Sequence, residues 1–433
     1  MKIRILPFQL ALLLAVTAAA HASELDATEK RIVAVIDARA DEAVAFLEQV
    51  VNINSGTLNA DGVRRVGEAY TEAFAAIGFE TRLIEQPAEL QRGPHFFAER
   101  RGDRGKRVLL IGHLDTVFEA DSPFQSMRIE GDKVYGPGVE DMKGGNNVIL
   151  FALCALHEAG VVDGTQIIVA LTGDEEYPGR PLEISRRDLI EAGRRSDIAL
   201  GFEAGVRELR IATVARRGSS GWLLKVTARP GHSSQIFQEG YGAGAIYEAS
   251  RILQTFYAQL RGEPYLTFNP GAIVGGTETD YDRQESRGTA FGKSNIIAKT
   301  AIVDGDLRFI SEEQRERARE TMRTIVSLSL PETETEITFF DGYPAMEPTE
   351  GNYALMEVLG GVTRDLGFGE VEALDPSQRG AADISFVAAD VEAGLAGMGP
   401  LGWGGHTVDE GIELASLAAA TKKAAILIYR LTR

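Results

Sequence analysis

Seven residues of this chain stand out as candidates to bind divalent metals or carry protons: His113, Asp115, Asp141, the adjacent Glu175 and Glu176, Glu203, and His406. Side chains two apart in an extended chain point the same way. Asp115 can therefore fix the tautomer of His113 and leave the other ring nitrogen for a metal. Imidazole with carboxylate suits zinc, and a carboxylate-rich set also takes manganese or cobalt. Two ions held close together share a bridging ligand, and Asp141, on a Gly-rich loop between the others in sequence, can serve. Neighbours on a tight turn, such as Glu175 and Glu176, can point in different directions. One can then bind metal while the other stays free as a general base. Water shared by two metals loses a proton near neutral pH and attacks a polarised carbonyl. A free carboxylate beside it takes that proton and passes it to the leaving nitrogen. Singly, each residue has a plainer reading: a solvated turn for Glu175 and Glu176, a helix N-terminal acid for Glu203, a loop histidine for His406. Their joint placement favours a metal site.

The elements that must position these groups follow from the apolar pattern. Val108–Ile111, Gln166–Leu171 and Asp197–Phe202 read as buried strands. Each is followed by acidic or imidazole groups, where open α/β sheets place ligands. Helices are expected over Leu25–Leu47, Val63–Ile77 (stopped by Gly78), Lys143–Ala159 (closed by Gly160) and Leu182–Gly193, with strands over Phe79–Ile84 and Phe96–Arg100. The texture changes near Thr213. Trp222–Ala228 reads as an edge or half-exposed strand, and Tyr241–Leu260 and Glu312–Leu328 as helices. Leu266–Phe268, Gly271–Val274, Asn295–Phe309 and Glu336–Phe340 read as strands, with Asp304-Gly305 as a possible hairpin turn and Asp280–Gly292 as an irregular loop. Helix and strand then alternate again after Gly342, ending in a helix over Ile412–Leu431. The expected fold is α/β: a helix-flanked central sheet carrying an inserted α+β sandwich. Residues 23–213 and 342–433 form its two catalytic pieces and residues 214–341 the insert.

At 433 residues the chain is too long for one compact core. A formal net charge of -18 argues against a nucleic-acid partner. Lys2 and Arg4 precede an apolar run from Leu10 to Ala20, and Ala20-His21-Ala22 fits a small-x-small cleavage site. Residues 1–22 are expected to be a signal peptide cleaved near Ala22, giving a periplasmic or secreted protein with no membrane segment in its mature form. An uncleaved anchor is the alternative, although the apolar run is short for a span. The single cysteine, Cys154, reads as a buried inert thiol.

The order of these motifs resembles the family of co-catalytic dizinc exopeptidases and deacylases that includes glutamate carboxypeptidase, acetylornithine deacetylase and succinyl-diaminopimelate desuccinylase. Gly112-His-Leu-Asp-Thr-Val117, Gly136-Pro-Gly-Val-Glu-Asp141-Met-Lys-Gly-Gly145, Gly173-Asp-Glu-Glu176 and Gly402-Trp-Gly-Gly-His406-Thr-Val-Asp-Glu410 carry the likeness. The resemblance implies two zinc ions per chain, with cobalt or manganese as substitutes. His113 and Glu203 would hold one ion, Glu176 and His406 the other, and Asp141 would bridge them. Asp115 would orient His113, Glu175 would be the general base and acid, and the peptide after Asp141 would be cis. A glutamate at Glu203 resembles the glutamate carboxypeptidase side. The insert resembles a dimerisation or lid domain, implying a homodimer through residues 214–341. His232, in Pro230-Gly-His-Ser-Ser234, would reach the partner's active site and stabilise the oxyanion. As a sequence feature alone, His232 reads as a surface histidine in a turn. Asn295, Arg308 and the backbone at Gly380 would bind a substrate carboxylate, although Arg308 on a strand also reads as an ordinary exposed charge. Two segments depart from the pattern: Arg379-Gly-Ala-Ala-Asp383 for Gly-Gly-(Ser/Thr)-Asp, and Tyr177-Pro-Gly-Arg-Pro181 after the acidic pair. The implied activity is amide hydrolysis of a small peptide or N-acyl amino acid by a metal-bridging hydroxide, of carboxypeptidase type. An N-acyl amino acid deacylase, an aminopeptidase and a non-catalytic periplasmic binding protein are the alternatives.

Overall fold

The computed structural model describes residues 24–433; the signal-peptide expectation lies outside the described residues. A six-stranded sheet forms the centre, in the order Glu80–Ile84, His95–Arg100, Thr165–Thr172, Arg104–His113, Ile198–Gly201, Ala393–Leu395. The first two pairings are antiparallel and the rest parallel. The parallel strands are nearly continuous Val, Ile, Leu and Ala because both faces are covered. Helices Ala27–Ala38, Ala40–Val51, Ala60–Ala76, Lys143–Glu158 and Leu414–Thr432 contribute to the larger core. Helix Lys143–Glu158 is apolar nearly all round and almost wholly buried. It lies tightly against the central sheet: a Cβ on Gly145 would come within 1.8 Å of the Phe202 carbonyl oxygen, so only glycine fits there.

A second sheet, in the order Thr267–Gly276, Thr300–Phe309, Gly218–Ala228, Thr333–Asp341, is antiparallel throughout. Helices Ala245–Leu260 and Glu312–Ser327 cover one face, and Trp222, Leu224, Val303, Leu307 and Phe256 form a separate core beneath them. A third, four-stranded sheet pairs Gly402–Trp403, Gly411–Glu413, Lys133–Tyr135 and Arg128–Glu130. It brings the turn bearing His406 against the loop bearing Asp141.

Several local expectations are corrected. The first helix is two, Ala27–Ala38 and Ala40–Val51, interrupted at Arg39. The segment over Leu182–Gly193 is likewise two short helices meeting at Arg186. The strand Gly218–Ala228 is interior, paired on both sides; its alternation reflects one helix-covered face. Asp304 and Gly305 are not a turn but mid-strand residues paired with Leu223 and Trp222. Gly305 is needed because a Cβ there would sit 2.1 Å from the Trp222 ring. Instead, the hairpin falls where a loop was expected: Glu278–Asp282 pairs with Arg287–Phe291. Those strands are polar and exposed, so they lack an apolar alternation to read.

Candidate metal centre and active site

Three of the parallel strands end together and deliver the acidic and imidazole groups to one edge. His113 is the last residue of its strand, opposite Thr172; the apolar run alone placed it just beyond the end. The next turn of the neighbouring strand carries Glu175 and Glu176, and the strand ending at Gly201 carries Glu203.

Asp115, fully buried, organises this corner. Its Oδ1 lies 3.3 Å from His113 Nδ1, while the backbone N–H groups of Glu175 and Glu176 donate to its two oxygens at 3.0 and 3.1 Å. Thr57 Oγ1 donates to Oδ2 at 2.6 Å. Asp115 thus fixes the histidine, whose Nδ1 lies 3.1 Å from the Asp115 backbone carbonyl as well as beside its carboxylate, and the acidic pair. Burial raises its pKa, but the bonds from His113 and Thr57 outweigh this and hold the carboxyl below its usual range.

Asp141 spans two histidines. Its Oδ1 is 3.1 Å from His113 Nε2 and its Oδ2 is 3.2 Å from His406 Nε2. The backbone N–H groups of Glu140 and Asp141 donate to Glu410 Oε1 at 2.8 and 3.0 Å, which anchors the loop. The peptide between Asp141 and Met142 is cis. His406, at φ +66°, also places Nε2 3.2 Å from Glu176 Oε2. Bonds to Asp141 and then Glu176 hold the His406 imidazolium up to about 11. Among the described residues, ligand atoms of His113, Asp141 and Glu176 lie within 4.8 Å of one another. Glu176 Oε1 is buried without a hydrogen-bond partner. A buried carboxylate oxygen with no donor is costly, and a cation is the group this imidazole and carboxylate set fits.

Glu203 accepts an ion pair from Arg216 Nη1 at 2.5 Å; with His113 and Met142 it lines a small pocket beside the cluster. Glu175 is partly buried, and desolvation pushes its carboxyl well above the ordinary range. That is the direction expected of a group that must both accept and return a proton.

The substrate-binding candidates fall in two places. Arg308 lines a cleft of about 660 Å³ with Arg180, Ser219 and Asp306, and Asp306 accepts from its Nε at 2.8 Å. It approaches the metal cluster through Gly380: a Cβ there would lie 4.0 Å from Arg308 Nη1, and the Gly380 carbonyl accepts from Arg216 Nε at 2.6 Å. His232 and Asn295 lie apart from the cluster but beside each other, the Asn295 carbonyl accepting from Ser233 N–H at 2.8 Å. His232 is exposed, its Nδ1 hydrogen-bonded to Ser234 Oγ at 2.8 Å.

Sequence reasoning missed the arginines and the tyrosine that brace the site. Arg216 has no motif. Arg186, fully buried, donates to Asp174 Oδ1 at 2.6 Å, Asp383 Oδ1 at 2.7 Å and Tyr343 Oη at 2.9 Å. Asp174, Asp383 and Glu410 stood within quoted motifs without a role; Arg186 and Tyr343 carried no local signal.

An α/β scaffold with paired imidazoles and carboxylates at the strand ends defines a metal-dependent hydrolase class. Residues 109–430 match the family described as Peptidase family M20/M25/M40, and the chain belongs to it. Carboxypeptidase G2 from Pseudomonas sp. (strain RS-16) is 29% identical over 431 residues, covering 96% of each chain. Succinyl-diaminopimelate desuccinylase from Gluconobacter oxydans (strain 621H) is 27% identical over 361 residues, covering 80% of this chain and 87% of the relative. The aminopeptidase PepT from Bacillus cereus has the same fold, with a TM-score of 0.70 at 16% identity, covering 91% of this chain and 99% of that one. The protein is accordingly a metal-dependent hydrolase of the peptidase and deacylase family.

Proposed function

We propose that this is an exported carboxypeptidase-type exopeptidase, using two zinc ions to hydrolyse the amide bond of a small peptide or N-acyl amino acid. The observation that carries the reading is Asp141, whose two oxygens each face a different histidine. In this reading His113 and Glu203 would hold one ion, Glu176 and His406 the other, and Asp141 would serve both. When bound, such ions polarise a carbonyl and acidify water. Glu175 takes the proton from the attacking water and returns it to the leaving nitrogen. Its raised pKa, set by burial, keeps it able to do both. Asp115 orients His113. Arg308, beside the Gly380 backbone, receives the substrate carboxylate; a guanidinium fork suits that group. The carboxypeptidase choice is supported by the full-length likeness to carboxypeptidase G2. Export to the periplasm or outside rests on the residues 1–22 pattern. A homodimer through residues 214–341, with His232 serving the partner's site, is supported by apolar side chains exposed on that region.

N-acyl amino acid deacylation is the second reading, favoured by the likeness to the desuccinylase. Zinc-loaded protein incubated with dipeptides and N-acyl amino acids, with both products identified by mass spectrometry, separates the two readings. Chelation should abolish turnover and zinc should restore it. Turnover that survives complete metal removal, or no cleavage of any substrate in a broad panel, would sink the proposal.

A further inference from the structure

The two connections between the central fold and the second sheet run side by side. Arg216 and Met346 exchange backbone hydrogen bonds at 2.9 and 3.0 Å, and Ser219 N–H donates to the Tyr343 carbonyl at 2.9 Å. Each connection sends one side chain into the site. The outgoing one places Arg216 on Glu203, as described above. The returning one places Tyr343 on Glu175: its Oη donates to the Glu175 carbonyl at 3.0 Å and accepts from Arg186 Nη2 at 2.9 Å.

Arg186 cannot move to accommodate a shift of the phenol. It is fully buried, and its guanidinium is held by Asp174 and Asp383 as well as by the Asp174 carbonyl at 3.0 Å. The Tyr343 ring packs edge-on against Phe386 at 4.7 Å between centroids. The Glu175 residue is therefore gripped at both ends of its backbone: Asp115 accepts from its N–H, and Tyr343 donates to its carbonyl. Only the second grip comes from the chain returning from the inserted sheet.

We propose that Tyr343 is a positioning residue, which ties the placement of Glu175 to the connection returning from the inserted sheet, with Arg186 fixing the phenol. The inference rests on Glu175 as the proton carrier. A carboxylate displaced by an ångström transfers protons poorly even when substrate still binds, so the tether acts on kcat and leaves KM in place.

The test is Tyr343→Phe, which keeps the ring against Phe386 and removes only the hydroxyl. Activity is normalised to metal content and to folded fraction by thermal melting. The expected result is a fall in kcat of about tenfold with KM within twofold. The same substitution in a Glu175→Asp background, where the carboxylate is already withdrawn by one methylene, should have little further effect. An unchanged kcat, or an equal tenfold loss in both backgrounds, would overturn the tether. Glu175→Gln serves as the control: if it is inactive with metal retained, the outcome bears on Tyr343 alone. Full turnover by Glu175→Gln would instead remove the proton-carrier assignment, and the inference with it.

Discussion

Arg308 illustrates what a single residue can and cannot announce. On its strand it is one charge among many, paired with Asp306. Its proximity to Gly380 gives it a path to the metal cluster. If it anchors a substrate carboxylate, Arg308→Ala should cut kcat/KM by roughly 10- to 100-fold, the range for losing one charge-assisted pair, for substrates with a free carboxylate. Esterified or amidated analogues should be almost unaffected. Equal losses on both sets would remove the role. By contrast, the metal-binding types were legible from the sequence, because few residues bind divalent ions and the peptide spacing of His113 and Asp115 sets their geometry directly. Arg216 and Tyr343 were not legible, since arginine and tyrosine occur for many reasons and only a folded chain brings them to Glu203 and Glu175.

At the scale of elements, Gly305 is a steric decision. It pairs with Trp222 across the sheet, and the indole occupies the space a Cβ would need. Gly305→Ala should therefore destabilise the protein by about 1–3 kcal/mol through overpacking, read as a lower denaturation midpoint, while Gly271→Ala, where an added Cβ meets nothing closer than 3.7 Å and φ is not positive, gives a smaller change. An unchanged midpoint for Gly305→Ala would show that the indole moves freely. The last helix holds a second decision. Lys423 is fully buried, its Nζ donating only to the Leu209 carbonyl at 3.3 Å, and burial pushes its pKa down to about 8. Below that pH both folded and unfolded chains carry the proton, and the folded chain bears the full cost of burying the charge. Between about 8 and the ordinary value of 10.5 the unfolded chain binds more protons, so this contribution to stability rises with pH. The swing is up to about 3 kcal/mol at 1.36 kcal/mol per pKa unit. Lys423→Met should remove it, and parallel urea titrations at about pH 8 and about pH 10 should show the gap between the two proteins narrowing as pH rises. A constant gap would mean that Lys423 is not desolvated.

For the whole molecule, the proposed second copy has a surface to dock on. Strand Thr267–Gly276 is the edge of its sheet, and Ile273 on it is 56% exposed, near Ile246 at 46% and Tyr247 at 57% on the adjacent helix. Unpaired edge backbone beside apolar side chains favours association. The double variant Ile246→Glu, Ile273→Glu should sediment as a monomer, and it should lose turnover if His232 serves the partner's site. A dimer that persists in this variant would place the interface elsewhere. Among the described residues no helix is long and apolar enough to cross a membrane.

The sequence by itself determined the layered α/β fold and the chemistry of its site. Apolar periodicity fixes which segments are buried, and imidazole and carboxylate are recognisable wherever they stand. Tertiary structure decided the rest. It made Gly218–Ala228 an interior strand, turned an exposed polar segment into a hairpin, and gathered residues as far apart as Asp141 and His406 within 3.2 Å. It also placed Arg186 and Tyr343 behind Glu175. Such contacts depend on which strand ends meet and which side chains fit between them, and neither is encoded in the spacing of neighbours along the chain.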